Sequence, residues 1–104
     1  MIKTELYFGR NITYTDKSVE RITGEQIDKF LSDIVSPLFP GFTVLRGVGY
    51  WQGEPEDCFV VVIIHESTNA DYEALLEIIR YYKRTFYQES VLRVDSNIGI
   101  KYLF

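Results

Sequence analysis

The chain has 104 residues, a formal net charge of -4 and a single cysteine, with 46% hydrophobic and 25% charged residues. That suffices for one domain, residues 1–104, built around one core. It excludes an internal disulfide and a cysteine-based zinc cluster, and an acidic balance without a Lys/Arg cluster argues against nucleic acid or an anionic membrane surface as partner.

Residues 2–8 alternate, with Ile2, Thr4, Leu6 and Phe8 on one face and Lys3, Glu5 and Tyr7 on the other. This is a strand pattern, ended by Gly9. No signal-peptide pattern precedes it, so a cytoplasmic location is expected. Residues 9–23 read as a long solvated connection with a short hairpin. Thr23 and Gln26 make a capping box, and Ile27, Phe30, Leu31, Ile34 and Leu38 follow at helical spacing. Pro37 stops that helix by about residue 35.

After the Pro40-Gly41 turn, a strand covers residues 42–51. Phe42, Val44, Arg46, Val48 and Tyr50 share a face. Gly47, Gly49 and Trp51 lie opposite, where glycine permits a bulge or the close approach of a large ring. Gln52 to Asp57 reads as a short acidic loop. Next come six consecutive large apolar residues, Phe59 to Ile64, between Cys58 and His65. The run is too short for a bilayer and too β-branched for a comfortable helix, so it reads as a strand buried on both faces. Thr68 or Asn69 caps a second helix with the stripe Tyr72, Leu75, Leu76, Ile79, Tyr82 and Phe86. A last strand starts at Ser90-Val-Leu-Arg-Val94, followed by a polar break at Asp95-Ser-Asn97 and an apolar tail, Ile98 to Phe104.

Strand, helix, strand, strand, helix, strand is the order of a ferredoxin-like α+β sandwich. Its antiparallel sheet has the order 4-1-3-2 with both helices on one face. Three large apolar side chains on each face of the 59–64 run then leave the helix-free face without cover. A homodimer through that face is expected, or the Ile98–Phe104 tail folded or exchanged over it.

Thr4-Glu-Leu-Tyr-Phe-Gly9, Pro37-Leu-Phe-Pro-Gly-Phe-Thr-Val-Leu45 with Gly49-Tyr-Trp51, and Gln88-Glu-Ser-Val-Leu-Arg-Val94 together resemble a family of small bacterial proteins classed as a domain of unknown function. The resemblance runs over nearly the whole chain and implies no established reaction.

The topology gathers Arg10, Trp51, Cys58, Gln88 and Glu89 at one sheet edge and sends His65 to the other, near Lys3, Thr43 and Asp95. Arg10 and Glu89 are a candidate pair. The pair is either a structural tie between first and last strands or an anion-recognising Arg held by a carboxylate, with Tyr7, Trp51 and Gln88 as an aromatic pocket. Arg93 projects onto the helix-free face if Leu92 and Val94 face the helices, as a dimer contact or a ligand contact. His65 reads as a solvated strand-end residue, with a titrating base as the alternative, and Cys58 as a small core residue. No metal set, phosphate loop or nucleophile motif is present, and no cofactor is expected. The functional expectation is a dimeric small-ligand-binding or structural module. The alternative is a small cofactor-free enzyme with a pocket between sheet and helices.

Overall fold

The computed structural model describes residues 1–99. The architecture is mixed α+β. Strands β1 (Ile2–Gly9), β4 (Thr43–Trp51), β5 (Glu54–His65) and β6 (Leu92–Asn97) form one antiparallel sheet. Two short strands, β2 (Asn11–Thr13) and β3 (Val19–Arg21), form a separate hairpin. The helices are α1 (Gly24–Phe30), extended by a π-helical segment over Leu31–Val35, and α2 (Asn69–Thr85).

Numbered along the chain, the sheet order is β4-β5-β1-β6 rather than 4-1-3-2. The labels differ because the 9–23 connection contributes β2 and β3, which pair with each other and stay outside the main sheet. That connection is also less solvated than its polar composition suggests, since Ile12 and Ile22 are buried.

Both helices start where their capping residues predict. Thr23 Oγ1 accepts from the Gln26 N–H at 3.1 Å, and the Gln26 side chain accepts from the Thr23 N–H at 2.9 Å. Thr68 Oγ1 accepts from the Asp71 N–H at 3.1 Å. After Phe30 the first helix widens, and the Ser36 N–H reaches the Leu31 carbonyl at 2.9 Å, five residues back. On α2 the buried stripe is Leu75, Ile78 and Tyr82. The expected stripe named Leu76 and Ile79, which are only half-buried, and omitted Ile78.

Alternation along the strands places Thr4, Leu6, Phe8, Phe59, Val61 and Ile63 on the helix-covered face, all fully buried. Each large apolar side chain buried there contributes roughly 1.5–3 kcal/mol. Rings fill the space between sheet and helices. Phe8 stacks on Phe59 at 5.0 Å between centroids, Phe30 meets Phe8 edge-on at 5.5 Å, and Tyr82 lies 4.5 Å from Phe8.

The other face differs from the expectation of a strand buried on both sides. Val60 and Val62 are half-buried and Ile64 is 41% exposed. Leu45 pairs with Val60 on this face, and Leu92 and Val94 pair with Tyr7 and Glu5.

The expected acidic loop is mostly strand. Only Gln52 (φ 50°) and Gly53 (φ 81°) turn, both in the left-handed region that a tight two-residue hairpin requires. Glu54 to Asp57 already belong to β5. Pro55 is tolerated in this strand because β1 ends opposite Cys58 and offers it no ladder. The expected polar break at Asp95–Asn97 likewise lies inside β6. Of the expected tail, residues 100–104 lie outside the described residues.

Candidate functional site

On the helix-free face the register sets Gly9, Cys58 and Gly47 abreast, with Gly49 and Glu56 as the next pair. Three neighbouring strands therefore carry nothing larger than a thiol along one row. A cleft of about 580 Å³ opens at this end of the sheet. Tyr7, Phe8, Gly9, Gly49, Glu56, Cys58 and Leu92 line it from the sheet, Asn11 and Thr13 from β2, and Tyr87, Gln88, Glu89 and Ser90 from the segment after α2. A second groove of about 310 Å³ shares Asn11, Thr13 and Glu56 with it and continues along Trp51, Gln52, Glu54 and Pro55.

Glu56 lies where the two grooves meet. Its Oε2 accepts from the Asn11 N–H at 3.1 Å. Its carboxylate oxygens sit 2.9 Å from where a β-carbon on Gly9 would be, so a side chain at Gly9 would push the carboxylate aside. Burial, followed by the neighbouring Glu56, pushes the Cys58 thiol pKa up. That keeps the sulfur protonated and unreactive. Tyr7 donates to Glu5 at 2.8 Å, and this hydrogen bond raises its phenol.

The far wall is held in an unusual backbone state. Tyr87 ends α2 at φ 53°, and the Gln88 N–H closes onto the Lys83 carbonyl at 3.0 Å. This is the helix-ending motif that normally takes glycine at the left-handed position. Gln88 Nε2 donates to the Asn11 and Phe86 carbonyls at 2.9 and 3.0 Å, tying this wall to β2. From below, the Tyr82 hydroxyl donates to the Gly9 carbonyl at 2.6 Å, and burial pushes its phenol up.

The candidate residues separate. Tyr7, Gln88 and Glu89 share the main cleft, while Trp51 lies in the adjoining groove. Arg10 is only 9% exposed, and its Nε and Nη2 donate to the Ile22 carbonyl at 3.2 and 2.9 Å. Among the described residues no ion pair joins it to Glu89, so the expected pairing is not made. The reason is alternation: Gly9 faces the cleft, and the next side chain goes to the covered side. There the Ile22 carbonyl satisfies the guanidinium, and Arg10 clamps the base of the β2–β3 hairpin.

Arg93 also lies opposite to expectation. It pairs with Leu6 on the covered face, whereas Leu92 and Val94 take the open one. Its Nη2 meets Asp95 at 3.0 Å, and its guanidinium carbon lies 5.3 Å from the Tyr72 ring centroid. The surrounding network includes His65, which is 4% exposed rather than solvated. His65 Nε2 contacts Thr4 Oγ1 at 2.6 Å, and Thr4 donates to Asp95 at 2.7 Å. Nδ1 contacts the Glu66 carbonyl at 2.8 Å. The network ties β1, β5 and β6 together beneath Phe39 and Tyr72. Arg93 bonding and the Thr4 hydrogen bond hold the Asp95 carboxyl below the ordinary carboxylate range. Sequence spacing gave no signal for it, since Thr4 and Asp95 are 91 residues apart. Glu56 and Tyr87 were missed too; the row of Gly9, Gly47 and Gly49 was their one visible trace.

Among the described residues no cluster of three or more His, Cys, Asp or Glu is placed to hold a metal. No described helix is long and apolar enough to cross a membrane.

Residues 3–102 match the family described as Protein of unknown function (DUF3574). The chain belongs to this family. No curated protein sequence matches it. Among solved structures it is similar to a phage SAM lyase in complex with S-methyl-5'-thioadenosine, at 21% identity and a TM-score of 0.62. The alignment covers 95% of this chain and 82% of the lyase chain.

Proposed function

We propose that this DUF3574 member is a ferredoxin-like, small-molecule-binding domain that takes its ligand on the helix-free face, in the cleft above Gly9 and Cys58. The carrying observation is the 580 Å³ cleft itself. Its size falls in the range of about 300–1,000 Å³ that suits small organic ligands. The filled sheet–helix interface argues against the expected pocket between those layers. The lyase neighbour supports the fold, and the thioether nucleoside bound to that protein supplies the first probe. Titration of S-methyl-5'-thioadenosine, followed by amide NMR, should shift Gly9, Gly49 and Gln88 before residues around His65. Shifts confined to the His65 end would remove this reading.

The proposal includes a cytoplasmic homodimer through the same face. Exposed Leu45, Ile64, Leu92 and Val94 support it. Sedimentation at micromolar concentration tests it, and a monomer would remove the partner. A cofactor-free enzyme is the second reading, favoured by the Glu56 carboxylate at the cleft centre. New product resonances during the same titration, absent in Glu56→Gln, would support it.

A further inference from the structure

We propose that the cleft selects a cation carrying a flat ring, with the ring lying over Gly49 beside Cys58 and the charge at Glu56. This rests on the cleft being the ligand site and goes further by assigning the chemical class.

The floor comes first. Gly9 pairs with Cys58 and Gly49 with Glu56 across the ladder. The Glu56 carboxylate covers Gly9, whereas the nearest neighbours of the β-carbon position at Gly49 lie 3.9 and 4.0 Å away, so a planar group can approach the backbone at Gly49. Tyr7 and Tyr87 stand on the cleft wall, and Tyr87 is 72% exposed and held in the left-handed region by the helix-ending hydrogen bond. Two phenol rings beside a flat floor suit an aromatic guest, and their faces attract a cation.

The charge comes second. Among the described residues, Glu56 and Glu89 are the ionisable carboxyls of the main cleft, and no Lys, Arg or His lines either groove. Two basic side chains near this end of the sheet are engaged elsewhere. Arg10 is spent on the Ile22 carbonyl, and Arg21 pairs with Asp57 at 2.6 Å. Glu56 is oriented by one backbone N–H through Oε2. It therefore presents a positioned carboxylate, and its field already acts on the Cys58 thiol. An anionic ligand would meet repulsion on both sides, whereas a cation gains a charge-assisted contact.

The test uses the full chain and three probes that share one ring: phenethylammonium, phenethyl alcohol and phenylacetate. Trp51, the one tryptophan, lies in the adjoining groove and reports by fluorescence, with the Gly9 and Gly49 amides as a second readout. The ammonium should bind about fivefold or more tightly than the alcohol, with phenylacetate weakest, and added salt should narrow the gap. Glu56→Gln should bring the ammonium down to the alcohol and leave the alcohol unchanged. Equal binding of ammonium and alcohol at the cleft amides would overturn the charge assignment and leave the ligand-site reading standing. Weakening of all three probes by Glu56→Gln would mean a structural role for Glu56, and would also overturn it. Failure of all three, together with S-methyl-5'-thioadenosine, to move the cleft amides would overturn both.

Discussion

On the helix-covered face of β5, Phe59, Val61 and Ile63 are completely buried; one residue along, Val60 and Val62 are half-buried and Ile64 is 41% exposed. The same strand, of nearly uniform hydrophobicity, thus meets two environments. On the covered side, rings from β1, β5, α1 and α2 interlock. On the open side, apolar residues occupy the middle of the sheet and glycines with one cysteine occupy the end beside β2. Apolar runs specify that a strand is central. What each face meets depends on the other elements, and here the helices reach only one. The open face is the part of the sheet free to bind something else.

The largest effect should come from the covered face. Phe59→Ala removes a ring stacked on Phe8 and edge-on to Tyr82, and should cost about 3–5 kcal/mol. Leu45→Ala on the open face, where the side chain is 54% exposed, should stay within about 0.5 kcal/mol in a monomer. Urea unfolding of both variants measures the contrast. A loss at Leu45 that grows with protein concentration would show that the open face is covered by another copy.

The second effect lies at the His65 end. Thr4→Val keeps the side chain's shape but leaves His65 Nε2 and Asp95 Oδ1 without their shared hydroxyl. The expected loss is about 1–3 kcal/mol, against a smaller loss for Thr4→Ser. Unfolding midpoints of the two variants decide it.

A pH profile sharpens the same region. The folded state holds the Asp95 carboxyl below its unfolded value, chiefly through Arg93. Its contribution is therefore present above the unfolded value, near pH 4, and is lost as pH falls through the folded one. Asp95→Asn should lower stability at pH 7 and flatten the acid limb below about pH 4. An unchanged acid limb would assign that limb to other carboxylates.

Much of the fold was legible because its signals are local. The Thr23–Gln26 box, the Pro37 stop and the 59–64 run each act within a few residues, and each marks an element that is present. The side chains of the site were less legible, because a strand residue's face depends on register. Arg10 is assigned by proximity to an edge and Arg93 by taking Leu92 and Val94 to face the helices, yet each lies on the covered side, satisfied by a carbonyl or a neighbouring carboxylate. His65 looked solvated because, although topology put Asp95 at its edge, nothing in the sequence announces the Thr4 hydroxyl that joins the two. Topology brings Gln88 and Glu89 to one sheet edge, and both line the cleft there with Tyr7, whereas Glu56 was hidden in what looked like a loop.

The smallest effect should be the most informative about the open face. Tyr87 occupies a position where left-handed geometry disfavours any side chain by about 1–2 kcal/mol relative to glycine. Replacing it by glycine relieves that strain, but a more flexible unfolded chain returns about 0.4–1 kcal/mol. Tyr87→Gly should therefore raise stability slightly, by about 1 kcal/mol or less. The side chain is 72% exposed, so little packing is lost to offset the gain. A tyrosine kept at such a position against the local preference suits a role at the surface it faces, which is the cleft. The same variant should then bind the ring-bearing cation less tightly while melting at a higher temperature. Thermal unfolding and fluorescence titration on one sample separate the two. Higher stability with unchanged binding would mean that Tyr87 is a helix terminator only, and that the cleft's aromatic wall rests on Tyr7.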